Sequence, residues 1–295
     1  MEQFSYTDAG EQNLIWFVPA GQMDEARAKE LPGLREMELI DRREGGGSTR
    51  FESREGYDYF SVLVVSPTAP DAEPCRVQAY FAPARLTFIY EEIPAMEELI
   101  VRLREEPMPA GQAMLLFFYF LTQHDNKALL DFEEEISDFE DLLADDDVPK
   151  DTSKHISVMR KRLLQLKRYY EALFDLLEDM EENANGLLGK KQLHALHLQT
   201  NRADRLNRAV LNLRDYVTQV RESYQAQLDI EMNKTMKLFT VVTVIFMPLT
   251  LVVGWYGMNL MMPEYAAPWM YPVVIAVNLV VVVGCIVYFK RRKWF

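Results

Sequence analysis

Residues 238–256 read LFTVVTVIFMPLTLVVGWY, and residues 265–289 read YAAPWMYPVVIAVNLVVVVGCIVYF. Neither run holds an Asp, Glu, Lys or Arg. Each is long enough to cross a hydrocarbon core of about 30 Å as a helix rising about 1.5 Å per residue. A chain in lipid must satisfy its own backbone hydrogen bonds, so helices are the expected form. The competing reading is a pair of buried core helices in a soluble protein. Run length and basic flanks favour the membrane.

The flanks also predict an orientation. Lys234 and Lys237 precede the first run, and Lys290, Arg291, Arg292 and Lys293 follow the second. The connecting segment 257–268 has no Lys or Arg, and Glu264 is its one charge. The positive-inside rule then puts both termini in the cytoplasm and the loop outside. Trp255, Trp269, Tyr271 and Trp294 fall near the expected interfaces, where aromatic rings collect. Met1-Glu2-Gln3-Phe4 has no basic region followed by an apolar run, so no cleaved signal peptide is expected.

Upstream, the character changes. The chain of 295 residues carries a net charge of −13 although its tail is basic, so acid is concentrated before the membrane. That balance argues against nucleic acid as a partner. Cys75 and Cys285 fall in different regions and make no disulfide framework. Leu14 to Val18, Tyr59 to Val65, and a hairpin of Val77 to Phe81 with Arg85 to Tyr90 around Pro83 read as strands. Met23 to Leu31 and Pro94 to Arg104 read as helices. Gly45-Gly46-Gly47-Ser48 lacks the Gly-Lys-Ser/Thr ending of a phosphate loop and reads as a turn.

From about Pro109 onward the pattern is helical. One arm runs through Ala113 to Leu121 into the acids of Asp131 to Asp147, and Pro149 ends it. A second arm, about Ser153 to Glu182, completes an antiparallel hairpin. From Lys190 to Tyr256 there is no proline before Pro248 and no glycine before Gly254. That predicts one helix of roughly 100 Å running from the cytoplasm into the membrane. The organisation expected is therefore an α/β domain (1–108), an acidic helical hairpin (109–189), a stalk helix (190–237), a first span (238–256), an external loop (257–268), a second span (269–289) and a basic tail (290–295). The fold class is an α+β cytoplasmic domain, a long stalk helix and two transmembrane helices.

The first span carries a patterned face. Asn233, Thr240, Met247 and Gly254 recur every seven residues, and Met236, Thr243, Thr250 and Gly257 repeat the spacing three residues on. These are the seam positions of a supercoiled bundle. Small and hydroxyl residues there are suited to close packing, or to lining a hydrated axis. Asp215, Glu222 and Asp229 continue the Met236 series toward the cytoplasm. Stacked acids would repel in a dry seam and suit a cation-accepting channel, unless that face is only solvated surface. Two spans cannot enclose a pathway alone, so a closed ring of identical copies is implied. Met236, Phe239 and Met247 would form apolar rings that gate by dewetting.

The stretches Asn233-Lys234-Thr235-Met236-Lys237, Ile245-Phe246-Met247-Pro248-Leu249-Thr250, Gly254-Trp255-Tyr256-Gly257-Met258-Asn259 and Met262-Pro263-Glu264 resemble the CorA family of magnesium transporters. Tyr271-Pro272-Val273-Val274 and the ending Tyr288 to Phe295 match as well. The resemblance implies a homopentameric funnel in the cell (inner) membrane, with the first span lining the pore and the second around it. It implies a mouth of Gly257, Met258 and Asn259, with Glu264 in the loop, that binds a hydrated cation. It places Asn233, Met236, Thr240, Met247 and Thr250 along the pore. Mg2+ is then cargo and a possible regulator, and no other cofactor is implied. Zinc, cobalt or nickel transport by the same fold is the alternative, and a non-conducting sensor or scaffold is the second.

The sequence departs from the family in two places. Leu260 and Met261 stand before Met262 where the family commonly has three residues, and His197-Leu198-Gln199-Thr200 lacks a regulatory carboxylate. His194 and His197 could present two imidazoles on one helix face, but a pair without a third ligand is more often solvated surface. No nucleophile–base arrangement stands out, so no enzyme is expected.

Overall fold

A computed structural model describes residues 2–8, 11–22, 48–144, 151–258, 267, 269–292 and 294. These form two compact units, Met1–Val220 and Arg221–Phe295. The sequence-predicted helix at Met23 to Leu31, the turn at Gly45 to Gly47 and the break at Pro149 lie outside the described residues.

The first unit opens with strands β1 (Glu2–Asp8), β2 (Glu11–Pro19), β3 (Arg50–Arg54), β4 (Tyr57–Val64), β5 (Cys75–Ala82) and β6 (Arg85–Tyr90). They form one sheet in the order β1-β2-β6-β5-β4-β3. The β2–β6 pair is parallel and the others are antiparallel. The strands expected from apolar runs are the inner ones. β1 and β3 gave no such signal because they are the two edges. Their polar and charged alternation is what an edge needs to avoid pairing with another chain. At the β5–β6 hairpin, Ala82 faces Arg85 across Pro83 and Ala84. Pro83 presets its own φ, and Ala84 takes φ 56°, as the third residue of a type II turn does.

Helices α1 (Pro94–Glu105) and α2 (Ala110–Thr122) follow. Phe17, Phe60, Phe88, Phe117 and Phe118, from β2, β4, β6 and α2, are almost fully buried. Neighbouring rings sit 5.2–6.4 Å apart, the range of favourable aromatic pairs. Val18, Tyr59, Tyr80 and Ile89 make a second cluster with Trp16 and Tyr57 against it.

The acidic arm differs from the single helix expected. It is two helices, α2 and then α3 (Asp125–Ala144), broken at Gln123 and His124. The reason is a change of environment. α2 is buried over most of its surface, whereas α3 turns Glu133, Glu134 and Asp138 to solvent. The His124 carbonyl accepts from Lys127 N and Ala128 N to restart the helix. Helix α4 (Thr152–Glu181) is the second arm. Helix α5 runs unbroken from Lys190 to Tyr256, the extent read from the sequence, and α6 spans Met270–Arg291. Asn185, in the α4–α5 connection, donates toward Arg54 O (2.7 Å), Tyr57 O (3.0 Å), Asp58 Oδ1 (2.8 Å) and Ser53 Oγ (2.9 Å), tying that connection to the β3–β4 turn.

Candidate ion pathway on α5

Both α5 and α6 contain a stretch long and apolar enough to cross a membrane, and each stretch is 6% buried by the chain itself. Among the described residues, most apolar side chains of these stretches are left uncovered. A surface of this kind marks contact with lipid or with other chains.

At about 100° per residue, Asn233, Met236, Phe239, Thr240, Thr243, Met247, Thr250 and Gly254 fall within roughly 60° either side of Met236. The helix therefore gathers them into one stripe along its length. Met236, Phe239 and Met247 are each at least 60% exposed, so they stay uncovered among the described residues. Thr240 Oγ1 donates to Met236 O (2.8 Å), and Thr250 Oγ1 donates to Phe246 O (2.9 Å). A hydroxyl whose proton is held by its own helix offers lone pairs outward. A groove along the same face is lined by Thr243, Phe246, Met247, Thr250, Gly254 and Met258, among others. Oxygen acceptors and thioethers thus alternate on an uncovered surface.

The helix exit is set by Gly257. Its N–H donates to Val253 O at 2.8 Å, and a Cβ there would stand 2.9 Å from that same carbonyl oxygen. Only a residue without a side chain allows this close approach. Met258 follows, half exposed. Asn259 and Glu264 lie outside the described residues.

Asp215, Glu222 and Asp229 are exposed on α5, Asp215 in the first unit and the other two in the second. His197 Nδ1 sits 3.0 Å from Glu181 Oε2, and His194 is not part of that pair. Among the described residues no group of three His, Cys, Asp or Glu side chains is placed to hold a metal. In the acidic stretch of α3, Glu140 accepts from Tyr216 OH (2.7 Å), while Asp138 and Asp141 face solvent.

One ionisable site was not foreshadowed by the sequence. Asp125 is 6% exposed at the start of α3 and accepts from the Tyr170 hydroxyl of α4 at 3.0 Å. Burial pushes its carboxyl up to about 6, although Tyr170, Arg202 and His124 pull it the other way. The same burial raises Tyr169 and Tyr170 well above the ordinary phenol range.

Known proteins resemble this chain at three levels. A "Cobalt/magnesium transport protein CorA" of Thermotoga maritima is 31% identical over 165 residues, which is 55% of this chain and 47% of that protein. A "Magnesium transport protein CorA" of Wolinella succinogenes is 30% identical over 170 residues, 51% of this chain and 53% of the relative. The chain thus spans about half the length of these curated relatives. The solved CorA magnesium transporter of Methanocaldococcus jannaschii shares the fold with a TM-score of 0.79 at 19% identity, covering 98% of this chain and 94% of that one. A family model described as "CorA-like Mg2+ transporter protein" matches residues 13–291. The chain belongs to the CorA-like Mg2+ transporter family, a family of transporters rather than enzymes.

Proposed function

We propose that this chain carries hydrated divalent cations, Mg2+ foremost, across a cell membrane. It does so as a ring of five copies whose α5 helices enclose the pathway. The observation that carries the reading is the stripe on α5. Hydroxyl, thioether and glycine positions share one face of a strongly apolar helix, and among the described residues that face is uncovered.

Magnesium gives up its octahedral water shell reluctantly. A ring of amide oxygens from Asn259, held at the mouth by Gly257 and Met258, would accept hydrogen bonds from that shell without stripping it. Asn carries no formal charge, so it recognises the ion without trapping it, and Glu264 adds attraction from the loop. Asn233, Thr240, Thr243 and Thr250 extend the same hydrated contacts along the axis. Met236, Phe239 and Met247 form apolar constrictions that close by dewetting. Gly254 leaves the axis its width. Asp215, Glu222 and Asp229 draw the ion onward. At about 2.3 kcal/mol per charge per 100 mV, a divalent ion gains about 4.6 kcal/mol from a 100 mV potential. Both termini stand in the cytoplasm, with Mg2+ a possible regulator there.

Replacing Asn259 by Ala tests the mouth. Uptake in a magnesium-requiring host is expected to disappear while the protein still reaches the membrane; undiminished uptake removes Asn259 from the pathway. A second reading, carriage of cobalt or of zinc and nickel, draws support from the cobalt in the description of the Thermotoga maritima relative. Proteoliposome fluxes measured ion by ion separate the two. No flux of any ion above empty liposomes leaves a membrane-anchored sensor or scaffold.

A further inference from the structure

Asp125 takes no part in the ion pathway, yet it lies inside a polar cluster of the first unit. Helix α2 ends at Thr122 and α3 begins at Asp125, so the chain turns at Gln123 and His124. Five helices bring side chains to this joint. Glu98 of α1 accepts from Gln123 Nε2 and stands 3.8 Å from His124 Nε2. The Arg202 guanidinium of α5 sits over the Tyr119 ring of α2 at 5.4 Å. Tyr170 of α4 donates to Asp125 Oδ2 at 3.0 Å, and its ring centroid is 4.9 Å from that of Tyr169. The titratable and charged groups that act on Asp125 are His124 at the joint, Tyr169 and Tyr170 on α4, and Arg202 on α5. Glu98 reaches it through His124.

The surroundings suit a neutral carboxyl. Among the described residues, Tyr170 supplies the one hydrogen bond that Asp125 receives. Arg202 favours the charged form, but among the described residues it makes no ion pair with Asp125 and rests on Tyr119 instead. A buried charge is costly unless it is paired and fully hydrogen-bonded. Room for a rearrangement lies alongside. A cavity of about 260 Å3 opens between α3 and α5, lined by Asn126, Leu130 and Glu133 on one side and by Asn212 and Tyr216 on the other, among others. Asn126 is the neighbour of Asp125, and such a volume holds several waters.

We propose that the joint between α2 and α3 is a pH-operated latch, closed while Asp125 is protonated and loosened when it ionises. In the closed state α3 is docked on α4 through the Tyr170 hydroxyl. In the loosened state Arg202 leaves the Tyr119 ring for the carboxylate, water enters from the cavity beside Asn126, and the first turn of α3 frays. Because the carboxyl titrates at about 6, the latch is closed below that pH and released above it. The turn at Gln123 and His124 lets α3 move while α2 stays packed in the aromatic core. Arg202 belongs to α5, so the proton on Asp125 acts on the helix that bears the stripe. The latch goes beyond the transport reading and does not depend on it.

Hydrogen exchange of the full chain in detergent tests the latch, with each rate divided by that of the unfolded chain at the same pH. The reporters are the Lys127 and Ala128 amides, which donate to the His124 carbonyl. Their protection is expected to fall about tenfold between about pH 5 and about pH 7.5, as a carboxyl at about 6 in the closed joint and 3.8 in the open one requires. It is expected to stay below the protection of the β4 amides around Phe60 throughout. Asp125→Asn cannot ionise and should hold its protection level across the range. Arg202→Gln removes the cation that takes up the charge, and the pH at which the fall ends should rise by about 1 unit. A wild type as flat as Asp125→Asn, or an Asp125→Asn that falls with the wild type, overturns the latch. Protection equal to that of β4 at every pH would mean that the unit opens only as a whole, and overturns it too. An unmoved end point in Arg202→Gln overturns the exchange of partners on which the latch rests.

Discussion

In Met1–Val220 the large apolar side chains lie inside: Phe17, Phe60, Phe88, Phe117, Leu99 and Tyr170 are all within 2% of complete burial. In Arg221–Phe295 side chains of the same kind lie outside, with Phe239, Met247, Leu251, Val253 and Leu279 more than 60% exposed. The two units follow the same chemistry in different surroundings. The first removes its apolar surface from water by folding on itself. The second does not, and on the proposed reading lipid and further copies cover its apolar surface and give its stripe a role. Substitutions should therefore be read in stability in the first unit and in transport in the second.

The largest stability effect is expected at Phe60, which is fully buried between Phe88, Phe117 and Phe118. Phe60→Ala leaves a cavity the sheet cannot close and should cost about 3–5 kcal/mol. Thermal melts of the detergent-solubilised protein would read it. A cost below about 1 kcal/mol would mean that this aromatic cluster does not hold the first unit together.

Asp125 gives a pH-dependent test of the same unit. Its carboxyl titrates at about 6 in the fold, above its ordinary 3.8. The folded state therefore holds a proton that the unfolded state has already released. The favourable contribution is complete below about pH 4, falls as pH rises and is gone above about 6; the difference is about 3 kcal/mol at 1.36 kcal/mol per pH unit. Asn keeps an oxygen for the Tyr170 hydroxyl and cannot ionise. Asp125→Asn should flatten stability between about pH 4 and 6 and raise the melting temperature at pH 7. A variant with the wild-type pH profile would show that Asp125 does not carry this buried proton.

A smaller effect is expected at Asn185. Its amide nitrogen has two protons for four nearby oxygens. Asn185→Ala removes those bonds and should cost about 1–2 kcal/mol. Hydrogen exchange of the β3–β4 turn should then quicken while that of the aromatic core does not.

These sites also mark what the sequence discloses. The extent of α5 was legible because neither Gly nor Pro interrupts it before Pro248, and local chemistry alone decides where such a helix ends. The inner strands were legible from their apolar runs. The edge strands β1 and β3 were not, because an edge is made polar to stay single and so resembles a loop. The break between α2 and α3 was hidden for another reason: continuous helical propensity cannot say that one half is buried and the other wet. Asp125 is one acid in an acidic helix until Tyr170, forty-five residues away, closes over it. On the candidate pathway, the heptad spacing of Met236, Thr243 and Thr250 exposed the stripe because a straight helix turns spacing directly into a face. The residues at the mouth have no such periodicity, and Asn259 was reached by resemblance.

Gly254 separates the two units' modes of construction most cleanly. A Cβ placed there meets nothing within 4 Å, and the same holds for Gly284 on α6. Neither glycine is needed by the fold of one chain, and in a helix interior Gly costs about 1 kcal/mol relative to a good helix former. Gly254→Leu and Gly284→Leu should therefore both leave the first unit's melting temperature unchanged and favour their own helices slightly. Their effects on transport should diverge. Gly254 lies on the stripe, where leucine would obstruct the axis of a closed ring, and Mg2+ uptake should fall at least tenfold with membrane insertion intact. Gly284 lies off it on the second span, and its leucine variant should keep uptake within about twofold. Equal uptake by both variants would mean that the stripe on α5 lines nothing, and the exposed apolar surface of the second unit would then be explained by lipid alone.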